Sequence, residues 1–268
     1  MSLHEHVIMI TGASGGIGNA VARQLGGMGA TLILVHRDPL KAERVGAELK
    51  AVGTRVSSLI GDLAEAGVPQ RLVRQAIAAR GRIDVLVNCA GIQNFGFAAE
   101  ESASQTARLF ETNTVAPIAL ANAVLPHMLQ RRSGHILNLG SIFGSIGFPC
   151  FASYSASKFA LRGYSEALRR ELAGSGVSVT YVAPRFTRTA MNGSAVTRMA
   201  SDLKMNQDEP AMVARRVVAA IRRGGRDHYL GWPESLFVRI NSLLPRLVDR
   251  SLMKQVDQIR PYAVEASQ

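Results

Sequence analysis

Short, nearly unbroken apolar runs alternate with longer stretches of helical period along most of the chain. Val7–Ile10, Thr31–His36, Arg55–Ile60, Ile83–Val87, His135–Leu139, Val177–Ala183 and Asp227–Gly231 read as strands. Runs without polar alternation are what a strand covered on both faces requires. Between them, Ile17–Gly26, Pro39–Val52, Val68–Ala79, Ser153–Ala173 and Glu209–Arg223 carry one apolar stripe each and predict amphipathic helices. A longer helical stretch, about Glu101–Gln130, should be interrupted near Asn113 and Pro117, because proline has no N–H to donate. Regular alternation of strand and helix predicts the α/β class: a doubly wound parallel sheet with right-handed crossovers. Ligands of such sheets bind beyond the carboxyl ends of the strands. Gly12, Arg37, Asn88, Ser141 and Pro184 each follow a strand, so all belong to that edge.

Composition narrows the class. A chain of 268 residues with 47% hydrophobic content supports one large domain with an ample core. Cys89 and Cys150 show no pairing pattern and read as buried free thiols of a reducing, cytoplasmic setting. No leader peptide is expected ahead of the first strand, and no run is long and apolar enough to span a bilayer. The formal net charge is +11, denser in the last third of the chain. Such a charge attracts anionic partners. No nucleic-acid motif or Arg–aromatic interleaving accompanies it, so nucleic acid is not expected as a partner.

The chemistry concentrates in a few places. Thr11-Gly12-Ala13-Ser14-Gly15-Gly16-Ile17-Gly18 joins the first strand to the first helix, the context a dinucleotide-binding turn requires. Gly12 would permit the tight turn, Gly16 close approach of a pyrophosphate, and Gly18 close helix–strand packing, with the helix N-terminus facing the phosphates. The second strand ends in His36-Arg37-Asp38. An acid at that end would hold a ribose 2′-hydroxyl and select NAD(H); Arg37 would instead pair with a 2′-phosphate and favour NADP(H). Asp38, one residue further on, keeps NAD(H) open. Small residues in Asn88-Cys89-Ala90-Gly91 would leave room for a flat ligand. Tyr154 and Lys158 lie four apart on one helix face, where an ammonium within roughly 4–6 Å lowers a phenol pKa. Many surface helices carry that spacing by chance. No group of metal-ligating residues stands out.

The ordered set Thr11-Gly12-x-x-x-Gly16-x-Gly18, Asp62, Asn88-x-Ala90-Gly91, Asn113, Ser141, Tyr154-x-x-x-Lys158 and Pro184 through Thr189 resembles the short-chain dehydrogenase/reductase (SDR) family. The resemblance runs from about residue 5 to residue 231 and implies a Rossmann-like fold. It implies hydride transfer between a ketone or aldehyde and an alcohol, catalysed by Asn113, Ser141, Tyr154 and Lys158. Tyr154 would be general acid or base, and Lys158 would lower its pKa and bind the nicotinamide ribose. Ser141 would hold the substrate oxygen, and Asn113 a water linking Lys158 to solvent. Gly12, Ser14, Gly16, Ile17, Gly18, Arg37, Asp62, Leu63, Asn88, Ala90, Gly91, Pro184 and Thr189 would join Tyr154 and Lys158 around the cofactor. Asp62 would touch the adenine, Asn88 would brace the central strands and Thr189 the nicotinamide amide. A homodimer or homotetramer pairing the helices near 101–130 and 153–173 is also implied. Two departures stand out: Cys89 where the family often has Asn, and Arg185 after Pro184 where it usually has Gly. Arg185 could hold an anionic substrate group or cofactor phosphate, or face solvent.

Residues 187–206 should form a variable substrate loop, and Met191, Met199, Leu203 and Met205 suit an adaptable apolar pocket. Phe95, Phe97, Phe143, Phe148 and Phe151 fall near the same edge and suggest a bulky apolar substrate. Residues 1–231 would make up the cofactor-binding and catalytic domain, and 232–268 a basic amphipathic extension. That extension could lie on a membrane surface through residues 232–260, cap the substrate pocket, or pack on a second subunit. The reading is an NADP(H)-dependent oxidoreductase. An NAD-dependent hydroxysteroid or secondary-alcohol dehydrogenase and a non-catalytic cofactor-binding sensor or scaffold are its rivals.

Overall fold

A computed structural model describes residues 3–266. Seven strands form one parallel sheet: β1 Val7–Thr11, β2 Thr31–His36, β3 Arg55–Ile60, β4 Val85–Asn88, β5 Gly134–Leu139, β6 Val177–Ala183 and β7 Asp227–Tyr229. They lie in the order β3-β2-β1-β4-β5-β6-β7. Strand order therefore reverses between β1 and β4, where ligand crevices open in such sheets. Every residue of β1, β2 and β4 is buried, as their unbroken apolar runs require. At the sheet edge, Val56 alone of the β3 residues is buried.

Helices cover both faces. On one, α1 (Gly16–Gly27), α2 (Pro39–Ala51) and α8 (Pro210–Arg223) bury Val21, Leu25, Leu49 and Val217 against Ile8, Leu32 and Val87. On the other, α3 (Val68–Arg80), α5 (Ala116–Gln130) and α6 (Ala152–Glu171) bury Leu72, Val124 and Leu168 against Met9, Ile33 and Ile136. Each fully buried aliphatic side chain contributes roughly 1.5–3 kcal/mol relative to exposure. Helix starts follow local chemistry. Asp38 accepts from the N–H groups of Leu40 (2.9 Å) and Lys41 (3.3 Å) and caps α2. Ser102 and Gln105 form a capping box that starts α4 (Ala103–Phe110) two residues later than the apolar pattern suggests.

One boundary needs correction. The fourth strand begins at Val85 rather than Ile83, although the Asp84 backbone still bonds to Val7 and His135, and the Asp84 carboxylate accepts from the Val7 N–H (2.8 Å) and pairs with Arg82 and Arg131. The interruption near Asn113 and Pro117 is a π-helical turn, Glu111–Val115, closed by the Ala116 N–H on the Glu111 carbonyl. Pro117 sits in the first turn of α5, which continues the π turn without a break, so its missing N–H frees a carbonyl of that turn, as expected. Past β6 the segment 187–206 contains α7 (Ser194–Asp202), and past β7 the chain continues as α9 (Glu234–Leu243) and α10 (Pro245–Ala266). Among the described residues no helix is long and apolar enough to cross a membrane.

Candidate active site

At the β1/β4 switch point the glycine turn is built by close main-chain contacts. Gly12 has φ +65°, and a Cβ there would lie 2.8 Å from the Ala90 backbone. Only glycine meets both conditions without strain. A Cβ on Gly18 would lie 2.3 Å from the Gly12 carbonyl oxygen, so α1 leans directly on the turn. Thr11 Oγ1 accepts from the Cys89 and Ala90 N–H groups (both 3.1 Å) and ties the two strand ends together. Gly15 and Gly16 are exposed at the start of α1 and leave its first N–H groups open to an anion. The Thr189 methyl carbon would meet a Cβ on Gly16 at 2.7 Å, so the segment after β6 closes over the turn.

Two clefts meet there. One runs past Arg37, Asp62, Leu63 and Ala90. The other runs past Ser14, Ile17, Gly91, Ser141, Tyr154, Lys158, Pro184 and Thr189. Gly12 and Ser14 line both, Gly16 and Gly18 the second. The side-chain-free turn between a charged end and a tyrosine–lysine end fits an extended dinucleotide. Asn88 and Asn113 lie beneath the clefts. Asn88 donates to Asn138 (2.8 Å), which donates to Ser165 (2.9 Å), cross-linking β4, β5 and α6. Asn113 is fully buried in the π turn; it donates to the Ile92 carbonyl and Ser157 and accepts from the Ile92 N–H.

At the charged end, Asp62 accepts from Arg108 (2.5 Å) and from the Ala64 N–H (3.0 Å). Partial burial of Asp62 works against its charge, but these bonds and the Arg108 and Arg37 charges hold its pKa below the usual carboxylate range. Arg37 is exposed on the rim, with Lys41 one turn into α2. The Asp38 carboxylate, the competing acid, is committed to its cap. Sequence reasoning missed Lys41 and Arg108. The four-residue step from Arg37 could have found Lys41; nothing local marks Arg108.

At the other end, Tyr154 and Lys158 are both buried, and the Lys158 ammonium nitrogen lies 5.8 Å from the Tyr154 ring centroid. Lys158 donates to the Leu139 carbonyl (3.2 Å). Burial pushes the Tyr154 phenol up to about 12, against the hydrogen bond from Ser141, and pushes Lys158 down to about 8. The expected lowering of the phenol pKa by the lysine does not occur in the protein alone: desolvation sets the shift, and Tyr154 holds its proton. Ser141 is braced from below by the fully buried Tyr181, whose hydroxyl meets the Ser141 backbone, and Gly140 gives that ring its space. Tyr181 had no local signal beyond lying on β6.

Around Tyr154 the predicted aromatics assemble. Phe143 stacks on Phe148 (4.7 Å), Phe95 tilts against Phe151 (4.8 Å), and Phe151 meets Tyr154 edge-on (6.2 Å). Phe97 lies apart, under the Arg260 guanidinium. Met199, Leu203 and Met205 join the cluster, as do Val196 and, unforeseen, Ile259 and Tyr262 of α10. Cys89 and Cys150 are free thiols, each partly rather than fully buried. Arg185 neither faces solvent nor points freely at the cleft: Asp208 and Glu234 hold it.

The comparisons with known proteins agree with this geometry. The family model for short chain dehydrogenases matches residues 6–200. The dehydrogenase/reductase SDR family member 7B of Bos taurus is 32% identical over 267 residues, covering 95% of this chain and 82% of that one. A short-chain dehydrogenase/reductase from Burkholderia phymatum, solved in complex with NAD, is 25% identical with a TM-score of 0.84, covering 92% of this chain and 96% of that one. A metagenomic short-chain oxidoreductase, solved with NADP, is 34% identical with a TM-score of 0.71, covering 81% and 91%. With a matching family model over most of its length and neighbours that carry either nicotinamide dinucleotide, this chain belongs to the short-chain dehydrogenase/reductase family of oxidoreductases.

Proposed function

We propose that this protein is an NADP(H)-dependent reductase of apolar ketones or aldehydes. The observation that carries the reading is Tyr154: a buried, proton-bearing phenol hydrogen-bonded to Ser141 within a wall of phenylalanines and methionines. Tyr154 would donate its proton to the carbonyl oxygen, and Ser141 would hydrogen-bond that oxygen as negative charge develops on it. A nicotinamide bound beside Tyr154 would supply the hydride. Lys158, still protonated at neutral pH, would stabilise the resulting phenolate. Asn113 would support Lys158 by fixing the π turn behind it.

The choice of NADP(H) over NAD(H) is supported by the capping role of Asp38 and by the cations Arg37 and Lys41 on the same rim. Division into a catalytic unit, 1–231, and an extension, 232–268, is supported by the way α9 and α10 cover the cleft from outside the sheet. Homo-oligomerisation in a reducing, cytoplasmic setting is supported by exposed Val115, Leu129 and Phe159 on the helical layer and by two free thiols. Contact with an anionic membrane surface is supported by the corner between α9 and α10. There Leu243, Leu244 and Leu247 stand exposed beside Arg246 and Arg250.

Steady-state reduction of a panel of aliphatic, aromatic and polycyclic ketones and aldehydes tests the assignment. NADPH should support turnover of bulky apolar carbonyls far better than NADH. A clear NADH preference would overturn the role given to Arg37. A chain that binds NADPH yet reduces no carbonyl would favour a sensor or scaffold.

A further inference from the structure

Arg185 leaves the end of β6 beside the cleft, with backbone angles outside the left-handed region. Its guanidinium makes four hydrogen bonds. Nε and Nη2 both donate to Asp208 Oδ1 (2.9 and 2.7 Å); Nη1 donates to Glu234 Oε2 and to the Trp232 carbonyl (both 3.1 Å). The partners come from two different segments. Asp208, only 2% exposed, closes the substrate loop: its N–H donates to the Phe186 carbonyl, and its carbonyl accepts from the Arg188 N–H. Glu234 opens α9, and its second oxygen accepts from Asn206 (2.9 Å). The chain enters the extension directly over the arginine stem: a Cβ on Gly231 would lie 2.5 Å from Arg185 Cδ.

The far end of the extension returns to the same place. Ile259 is fully buried in the cluster around Tyr154, the Tyr262 hydroxyl donates to Asp202 (2.7 Å), and Arg198 pairs with Glu265. Between these ends α9 rests on the segment after Ser141 through Val238 and the Asn241–Ser145 hydrogen bond. We propose that Arg185 is a positioning residue that fastens the substrate loop and the C-terminal helices into one lid over Tyr154. Arg185 thus acts on substrate capture, through Asp208 and Glu234, without touching the reacting atoms. A planar guanidinium can serve both carboxylates and a carbonyl at once, whereas an ammonium cannot hold that fork. Removing one partner of a desolvated pair strands the other charge. The stranded Asp208 would then be relieved by opening the loop, which is held less firmly than the sheet.

The test compares R185A, R185K and E234A in the full-length protein. Hydrogen exchange read by mass spectrometry should show R185A opening residues 194–208 and 232–266 together, with β1 to β5 unchanged. E234A should open 232–266 while leaving the Arg185–Asp208 pair in place. This variant keeps the proposal testable if R185A fails to fold. With the best carbonyl of the panel, R185A should raise KM about tenfold with a smaller loss of kcat, R185K should fall between, and NADPH affinity should stay unchanged. The KM arm relies on the reductase reading; the exchange arm does not, so failures of the two are distinguishable. Unaltered exchange in the extension of both R185A and E234A would overturn the proposal. So would loss of NADPH affinity in step with the rise in KM, which would move Arg185 to the cofactor.

Discussion

The two ends of the cleft are built on opposite principles. The charged end is assembled from short contiguous motifs on strand ends, with Arg37 and Lys41 on an exposed rim and Asp62 paired to Arg108. The tyrosine end draws on the segment around Phe95, the turn from Ser141 to Phe151, α6, α7 and α10, and is apolar and closed. Exposed charges interact weakly in water and act by selecting among anions. Burial acts on the group itself and moves the two pKa values in opposite directions, Tyr154 up to about 12 and Lys158 down to about 8. On the proposed reading, the difference teaches that cofactor choice is a surface property and proton delivery an interior one.

The largest expected effect lies at the interior end. Tyr154→Phe keeps the ring and its packing but removes the proton, so turnover should drop ~10²–10⁴-fold. NADPH affinity by fluorescence titration should be unchanged. A loss of both would show that the two ends are not separable.

A pH profile sharpens the same contrast. Lys158 is pushed down to about 8 by burial, so its ammonium is present below pH 8 and is lost as pH rises through that value. Tyr154 keeps its proton to about 12. Reductive kcat/KM should therefore fall above pH 8 while the phenol is still loaded, by up to about tenfold per pH unit. The Lys158 contribution to stability should run the other way. The folded state prefers the neutral amine, so the unfolded chain binds the extra proton between pH 8 and 10.5 and stability rises across that window. Activity and thermal midpoint that fall together above pH 8 would contradict this assignment.

At the exposed end, Arg37→Ala should weaken NADPH binding about tenfold, the low end for charge-assisted hydrogen bonds, with NADH unaffected. Equal losses for both cofactors would place Arg37 in a structural role. The smallest effect concerns the outer surface of the lid. Leu243→Asp with Leu247→Asp should lower sedimentation with anionic vesicles by a few-fold, a loss on the scale of two shallow apolar contacts. Unchanged partitioning of this variant would leave the corner without a membrane role.

Legibility in the sequence follows the same division. The glycine turn, the strand ends at Asn88 and Ser141, and the Tyr154–Lys158 pair could all be read because their geometry is local. One strand, one turn or one helix face sets each, and Gly12 is demanded by its own φ and one neighbouring backbone. The same holds for β2 and β6, whose observed bounds match the apolar runs residue for residue. The interruption at Asn113 and Pro117 is legible too, but its π-helical form is not, because Asn113 answers to Ile92 and Ser157, more than twenty residues away.

What the sequence determined alone was the parallel doubly wound sheet and the family, and it marked the candidate reacting side chains, since periodicity and motif spacing are properties of neighbouring residues. Only the tertiary structure decided that Tyr154 keeps its proton, that Arg108 pairs with Asp62, that Ile259 packs into the apolar cluster around Tyr154, and that Arg185 spends its charge on Asp208 and Glu234. Desolvation and ion pairing depend on what surrounds a group in space, and those surroundings arrive from segments the chain order keeps apart.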